Sequence, residues 1–195
     1  QPNADTIYKS AIIEKGGSYL LRGDRGTVRM IILAQMGPDT LRTGQHSPLL
    51  GQTDFDDLTV GEDGSFELVI SPERPAGYTG NWAALDPQCE KIMVRIVSCD
   101  WGAEREPRFG IARLDVDDAK GRPSADDLHA AFDEMPFITR VCALAFPIHV
   151  EELRDEGYLN KLKIFDVSQM SGLKGQFYYE GAYELADDEA LISEV

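Results

Sequence analysis

Positive charge is scarce in this chain. Its 195 residues hold 19 Lys and Arg against 34 Asp and Glu, a formal net charge of −15 at pH 7. Nucleic-acid surfaces need clustered Lys and Arg against phosphate, so the balance argues against a nucleic-acid partner. An anionic membrane surface is disfavoured for the same reason. No apolar run approaches the ~20 residues of a membrane span. The cysteines are Cys89, Cys99 and Cys142. Their number is odd and none forms a CxxC pair, so neither a disulfide framework nor a zinc knuckle is signalled. Cys99 and Cys142 lie in apolar runs and read as small core residues. A reducing, cytoplasmic setting is the mild preference, and a periplasmic one requires a leader already removed. Familiar catalytic signatures are missing: P-loop, GxGxxG, nucleophile elbow and HExxH. TDFDDLTVGEDG is acidic, but Leu58 stands where an EF-hand needs a ligand oxygen, so it reads as a solvated turn. No metal-ligand spacing exists, and no cofactor can be named.

What is present reads mostly as β. Hydrophobic residues make up 43% and charged residues 27%, an ordinary soluble balance. Residues 1–118 form the first region, expected to be a jelly-roll-like β-domain. GSYLLRGDRGTVRMIILAQMG is two apolar runs around Gly23 to Gly26, a hairpin signal. DLTVGEDGSFELVIS repeats the device around Gly61 to Gly64. There Phe66, Leu68 and Ile70 point inward, with Glu67 and Ser71 outward. In CEKIMVRIVSCDW, Ile92, Val94 and Ile96 alternate against Lys91 and Arg95. FGIARLDV is a further strand. Short strands punctuated by Gly and Pro predict an antiparallel sandwich or barrel. No strand here alternates with a helix, which argues against a Rossmann-type sheet.

Residues 119–157 change rhythm, predicting a helical insert near 122–157. Ser124 is the N-cap, with Asp126 and Asp127 in the first turn. Leu128, Ala131, Phe132 and Met135 fall at helical spacing. Pro136 starts a second segment and Pro147 should kink or break it, giving two or three helices. Gly157 is the C′ residue. Residues 158–176 read as an irregular connection. After it come an aromatic strand, an acidic turn at Asp187 to Glu189, and a last strand. Residues 158–195 are thus expected to lead into a second β region.

PNADTIY, YLLRGDRGTV, DGSFELVISPERPAGYTGNWAALDP, VRIVSCDWGAE and YYEGAYELADDEALISEV occur in that order. The run resembles bacterial proteins of the domain of unknown function 1214 family, whose companion is numbered 1254. The resemblance covers nearly the whole chain and is densest from Asp63 to Trp101. It implies two consecutive jelly rolls with helical segments before and between them. It also implies that this chain is an internal segment of a longer member. Its partner would then be the remainder of its own polypeptide, or a second chain.

Candidate site residues gather in NWAALDPQCEKIMVRIVSCDW. Arg95 and Asp100 could form an Arg–carboxylate pair that fixes a small anion or locks a corner of the fold. Asn81, Trp82 and Trp101 could offer polar groups and a flat indole face to a sugar-like or planar ligand. Asn3, Asp5 and Tyr8 stand at the start of the first strand. The alternative is a buried Arg–Asp pair and Trp packing that hold the sandwich. His149, with Glu151 and Glu152 after it, could be a general base or half a metal site, or simply a helix-end histidine. His46 lies in a loop and His129 on the polar side of a helix. Phe177, Tyr179 and Tyr183 could line a groove or form cross-strand pairs.

Two functions are expected from this. One is an enzyme acting on a small organic or sugar-like substrate, with Asp5, Arg95, Asp100 and His149 as acid–base or positioning groups. The other is a non-catalytic ligand-binding or homo-oligomeric assembly module. A concave, partly exposed convergence of Arg95, Asp100 and the tryptophans would favour the first. Buried, mutually satisfied side chains would favour the second.

Overall fold

A computed structural model describes residues 5–38, 47–116, 123–166 and 177–192. The chain divides into two compact units, Gln1–Ala119 and Lys120–Val195. Asn3 and His46 lie outside the described residues.

The first unit is β. Its strands are β1 (Thr6–Ile12), β2 (Tyr19–Asp24), β3 (Met30–Met36), β4 (Leu49–Asp54), β5 (Ser65–Ser71), β6 (Asn81–Ala84), β7 (Lys91–Val97) and β8 (Arg108–Arg113). They form two four-stranded sheets, ordered β1-β7-β3-β4 and β6-β5-β2-β8. Every pairing is antiparallel except β5 with β6, which is parallel. One core is shared by the two sheets, as in a sandwich. Ile31, Leu33, Ile92, Val94 and Ile96 come from the first sheet, Leu21, Phe66, Leu68 and Ile70 from the second. Phe55, on a short 3-10 turn, packs edge-on to Phe66 with centroids 5.0 Å apart. The period-2 alternation in β5 and β7 buries these side chains, as the sequence pattern predicts.

Both predicted hairpins are absent. β2 and β3 belong to different sheets, so Gly23 to Gly26 carry the chain from one sheet to the other. The polar groups of this corner bond outward instead of closing a hairpin. Arg25 N–H donates to the Gly64 carbonyl and Thr27 N–H to the Arg105 carbonyl, each at 2.9 Å. The Arg25 guanidinium donates to the Val28 carbonyl and to Asp56. Gly26 has φ +65°, and a Cβ there would collide with the Arg105 carbonyl oxygen, so glycine is required. The turn at Gly61 to Gly64 forms, with Gly64 N–H on the Gly61 carbonyl at 2.9 Å. Residues 58–60 before it are not a strand, because β5 already has β2 and β6 on its two sides. Ser71, expected outside, is buried: its hydroxyl donates to the Glu73 carbonyl and accepts from Trp82 Nε1.

The second unit contains α1 (Ala125–Asp155) and a two-stranded ribbon of β9 (Lys163–Asp166) and β10 (Phe177–Glu180). Its start is as predicted. The Ser124 hydroxyl accepts from Asp127 N–H, and the Asp127 carboxylate accepts from Ser124 N–H, a capping box. Its end is also as predicted. Gly157, at φ +87°, donates to the Arg154 carbonyl, and Tyr158 N–H donates to the Leu153 carbonyl, a Schellman motif. Between them runs one helix, not two or three. Pro136 and Pro147 lie inside it. Each removes one backbone donor, but the fixed φ of proline is helical, and no glycine interrupts 125–155.

Three further expectations are not met among the described residues. β9 falls in the stretch read as an irregular connection. Leu191 and Ile192 are in no strand, and the rest of the expected last strand, 193–195, lies outside the described residues. Cys99 and Cys142 are exposed, while Cys89 is buried. Cys99 lies beyond the end of β7, and α1 buries only Leu153. Among the described residues no helix is long and apolar enough to cross a membrane.

Candidate functional site

The predicted site residues fall in separate places. Tyr8 and Arg95 share one sheet, and Asp5 directly precedes β1. Tyr8 on β1 is the register partner of Arg95 on β7, and the guanidinium lies 5.3 Å from the tyrosine ring centroid. Asp5 accepts at its backbone carbonyl from Ser98 N–H at 2.8 Å. Arg95 occupies the sheet face opposite the core, yet it is only 8% exposed. The expected pair with Asp100 does not form. Asp100 Oδ1 instead accepts from the Gly102 and Ala103 N–H groups at 3.0 and 3.1 Å, shaping the loop after β7. Short Asp side chains favour this local bonding to the backbone. Trp101, in the same loop, is 64% exposed.

Asn81 and Trp82 sit on the other sheet, in β6, directly after the bend at Gly80. Asn81 accepts from Thr59 N–H and donates to the Thr59 and Glu67 carbonyls. Trp82 Nε1 donates to the Ser71 hydroxyl at 3.0 Å, with the Arg74 guanidinium 5.9 Å from its ring. His149 belongs to the second unit. Its Nε2 lies 3.0 Å from Glu180 on β10, and its Nδ1 3.6 Å from Glu152. The nearby carboxylates are therefore Glu152 and Glu180. His129 is exposed on α1. Phe177, Tyr179 and Tyr183 are exposed, and Tyr179 pairs across the ribbon with Ile164. Among the described residues no cluster of three potential metal ligands occurs.

A groove lies on the β6-β5-β2-β8 sheet, and of the predicted site residues Asn81 lines it. It is open to solvent and measures about 790 Å³. Its lining includes Arg22, Glu67, Tyr78, Thr59, Ser65 and Asn81. Its floor follows from strand alternation. Leu21, Phe66 and Leu68 point into the core, so Arg22 and Glu67 point away from it. β2 and β5 are in a register that places Arg22 directly opposite Glu67. One wall is the segment before β6. It is held by Arg74, which donates to the Gly80 carbonyl at 2.8 Å. The Tyr78 ring lies over Gly80, where a Cβ would come within 2.6 Å of the tyrosine hydroxyl. The other wall is Thr59, fixed by Asn81.

Three polar side chains of this groove are unengaged among the described residues. Among the described residues, the Arg22 guanidinium, the Glu67 carboxylate and the Tyr78 hydroxyl make no hydrogen bond or ion pair. At the end of β2, Gly26 N–H and then the Arg105 guanidinium hold the Asp24 carboxyl below the usual carboxylate range. Sequence reading passed over Arg22, Glu67 and Tyr78. Glu67 read as a solvated strand position, and its pairing with Arg22 depends on a register between non-consecutive strands. The available signal was opposite charge at outward positions of two strands that each abut a glycine turn.

No family model matches the chain, and no curated protein matches it. A solved structure does: an uncharacterized protein from Burkholderia cenocepacia, 26% identical, with a TM-score of 0.75. The match covers 96% of this chain and 51% of that one, so the chain spans about half the length of the protein it resembles. A protein from Vibrio parahaemolyticus is 12% identical with a TM-score of 0.37, covering 55% of this chain and 31% of that one. A likeness that low carries no argument.

Proposed function

We propose that the chain is a ligand-binding β module of a longer polypeptide related to the domain of unknown function 1214 proteins, with jelly-roll connectivity. It holds a small polar organic or sugar-like molecule in the groove and does not transform it. The supporting observation is the convergence of three polar groups, from Arg22, Glu67 and Tyr78, on one open groove, each unengaged among the described residues. Small-molecule sites are concave with a few convergent polar groups, typically ~300–1,000 Å³ in volume. The enzyme reading has less support. The Asp100 carboxylate is engaged by the backbone of its own loop rather than by Arg95. The test is an amide-resolved NMR titration with a panel of small polar molecules: neutral sugars, organic acids and zwitterions. Binding should shift the amides of residues 22, 59, 65–67 and 78–81 and leave the ligand unchanged after overnight incubation. Shifts confined to other residues, or consumption of a ligand, would sink the reading.

One observation favours an assembly role as well. α1 leaves Leu128, Phe132, Met135, Ile138, Phe146 and Ile148 exposed. Exposed apolar surface of this extent marks interaction sites. The cover we assign is the remainder of the longer polypeptide, because the solved neighbour is about twice as long as this chain. Light scattering tests this. The chain expressed alone should bind a hydrophobic dye strongly, and the whole protein weakly. A stable dimer of the chain alone, dispersed by Phe132→Glu, would make the cover a second copy instead.

A further inference from the structure

We infer that the groove takes a small zwitterion, an amino acid or dipeptide, with its carboxylate on Arg22 and its ammonium on Glu67. The inference rests on the binding reading above and names the ligand's chemistry.

Arg22 and Glu67 are direct cross-strand partners on an antiparallel pair. Such partners have Cβ atoms ~4.5–5.5 Å apart. Both are exposed, and neither head group is bonded to a described residue. A guanidinium presents a planar fork that matches a carboxylate. A carboxylate accepts from the three donors of an ammonium. A ligand of a single charge would satisfy one head and be repelled by the other, a few ångströms away. A neutral polyol would satisfy neither as a charge. A zwitterion satisfies both. The protein's net charge of −15 adds to the argument. It repels anions at long range, whereas a zwitterion has no net charge to repel. Displacing any transient Arg22–Glu67 contact costs little, because exposed ion pairs are weak. The hydroxyls of Thr59, Ser65 and Tyr78 around the pair suit the peptide group of a dipeptide.

The experiment is an NMR titration of the intact chain with four probes. These are L-alanyl-L-alanine, its N-acetyl form, its C-terminal amide, and glucose. The free dipeptide should shift the amides of residues 65–67 and 78–81. Each blocked form should bind about two- to fivefold more weakly, the loss expected for one ion pair in an open groove. Arg22→Ala should abolish the preference for the free carboxylate, and Glu67→Gln the preference for the free ammonium. Both variants should keep the wild-type spectrum away from the groove, which controls for folding. Blocked and free dipeptides binding equally, or dipeptide binding unmoved by either variant, would overturn the inference. Glucose shifting the groove amides while the dipeptide does not would overturn it and leave the binding reading intact. No groove shift with any probe overturns both.

Discussion

Asn81 holds both backbone polar groups of Thr59. Its Oδ1 accepts from Thr59 N–H at 2.8 Å, and its Nδ2 donates to the Thr59 carbonyl at 2.9 Å. The same Nδ2 donates to the Glu67 carbonyl at 2.9 Å. One side chain thus ties the segment after the 3-10 turn to the strand that carries the groove floor. Replacing it with Ala leaves three backbone groups to find water. The expected loss for Asn81→Ala is about 1–3 kcal/mol, at ~1 kcal/mol per net hydrogen bond. For a chain of this length each kcal/mol lowers Tm by ~2–4 °C. Asn81→Asp keeps the acceptor but sets a carboxylate against two carbonyl oxygens, so it should melt no higher than the alanine variant. Thermal melts of the three proteins check this. Coincident curves would mean that the side chain staples nothing.

Arg95 is expected to behave as a structural residue. It lies beneath the Tyr8 ring, 8% exposed, on a sheet face where a solvated arginine would be mostly open. Truncation removes the packed alkyl stem as well as the charge. Arg95→Ala should therefore cost about 1–3 kcal/mol, with a clear drop in Tm. A double-mutant cycle with Tyr8→Leu should return a coupling of ~0.5–2 kcal/mol, the range from an exposed to a desolvated cation–π contact. An unchanged Tm in Arg95→Ala would return this residue to the list of ligand-positioning groups.

The local elements were more legible than their partners. Ser124, Asp127 and Gly157 mark the ends of α1 by short-range chemistry, and the structure uses all three as read. The inward set of β5 was legible for the same reason, since alternation is a local property. Pairing is not local. Gly23 to Gly26 have hairpin composition, but Arg25 and Thr27 bond to Gly64 and Arg105, so the chain crosses between sheets. Pro136 and Pro147 have breaker composition, but each removes only one donor from a long run of helix formers. The site was hardest to read. Asn81, Trp82 and Asp100 have ligand-like side chains, and the fold engages them in its own hydrogen bonds. Arg22 and Glu67 are 45 residues apart, and only the β2–β5 register sets them opposite one another.

Acid should destabilise the first unit through its aspartates. Asp24 is held low by Gly26 N–H and by Arg105, and Asp63 by the Ser65 hydroxyl and N–H. Asp115 is held low by Arg113. A carboxyl whose folded pKa lies below its unfolded value binds protons more weakly when folded. Its contribution is complete above the unfolded pKa, ~3.9 for Asp, and is lost as pH falls through the folded value. Tm should hold steady from about pH 7 to 5 and fall below about pH 4. Asp24→Asn removes one titrating group, so its Tm should fall less between those limits than that of the wild type. Parallel curves for the two proteins would show that Asp24 contributes nothing to the acid transition.

The thiols should report burial directly. Cys89 is fully buried, and burial pushes its thiol above the ordinary range. Cys99 and Cys142 are exposed. The thiolate is the reacting species, so a buried thiol with a raised pKa is doubly protected. A thiol reagent at neutral pH should therefore modify Cys99 and Cys142 in the native chain, and Cys89 only after denaturant is added. Mass spectrometry of the digested, labelled protein assigns each site. Cys89 reacting at the rate of Cys99 would mean that the core between the two sheets opens readily. The proposed cover of α1 adds one more outcome: Cys142, on the same helix as Phe132 and Phe146, should react more slowly in a longer polypeptide that supplies that cover than in this chain.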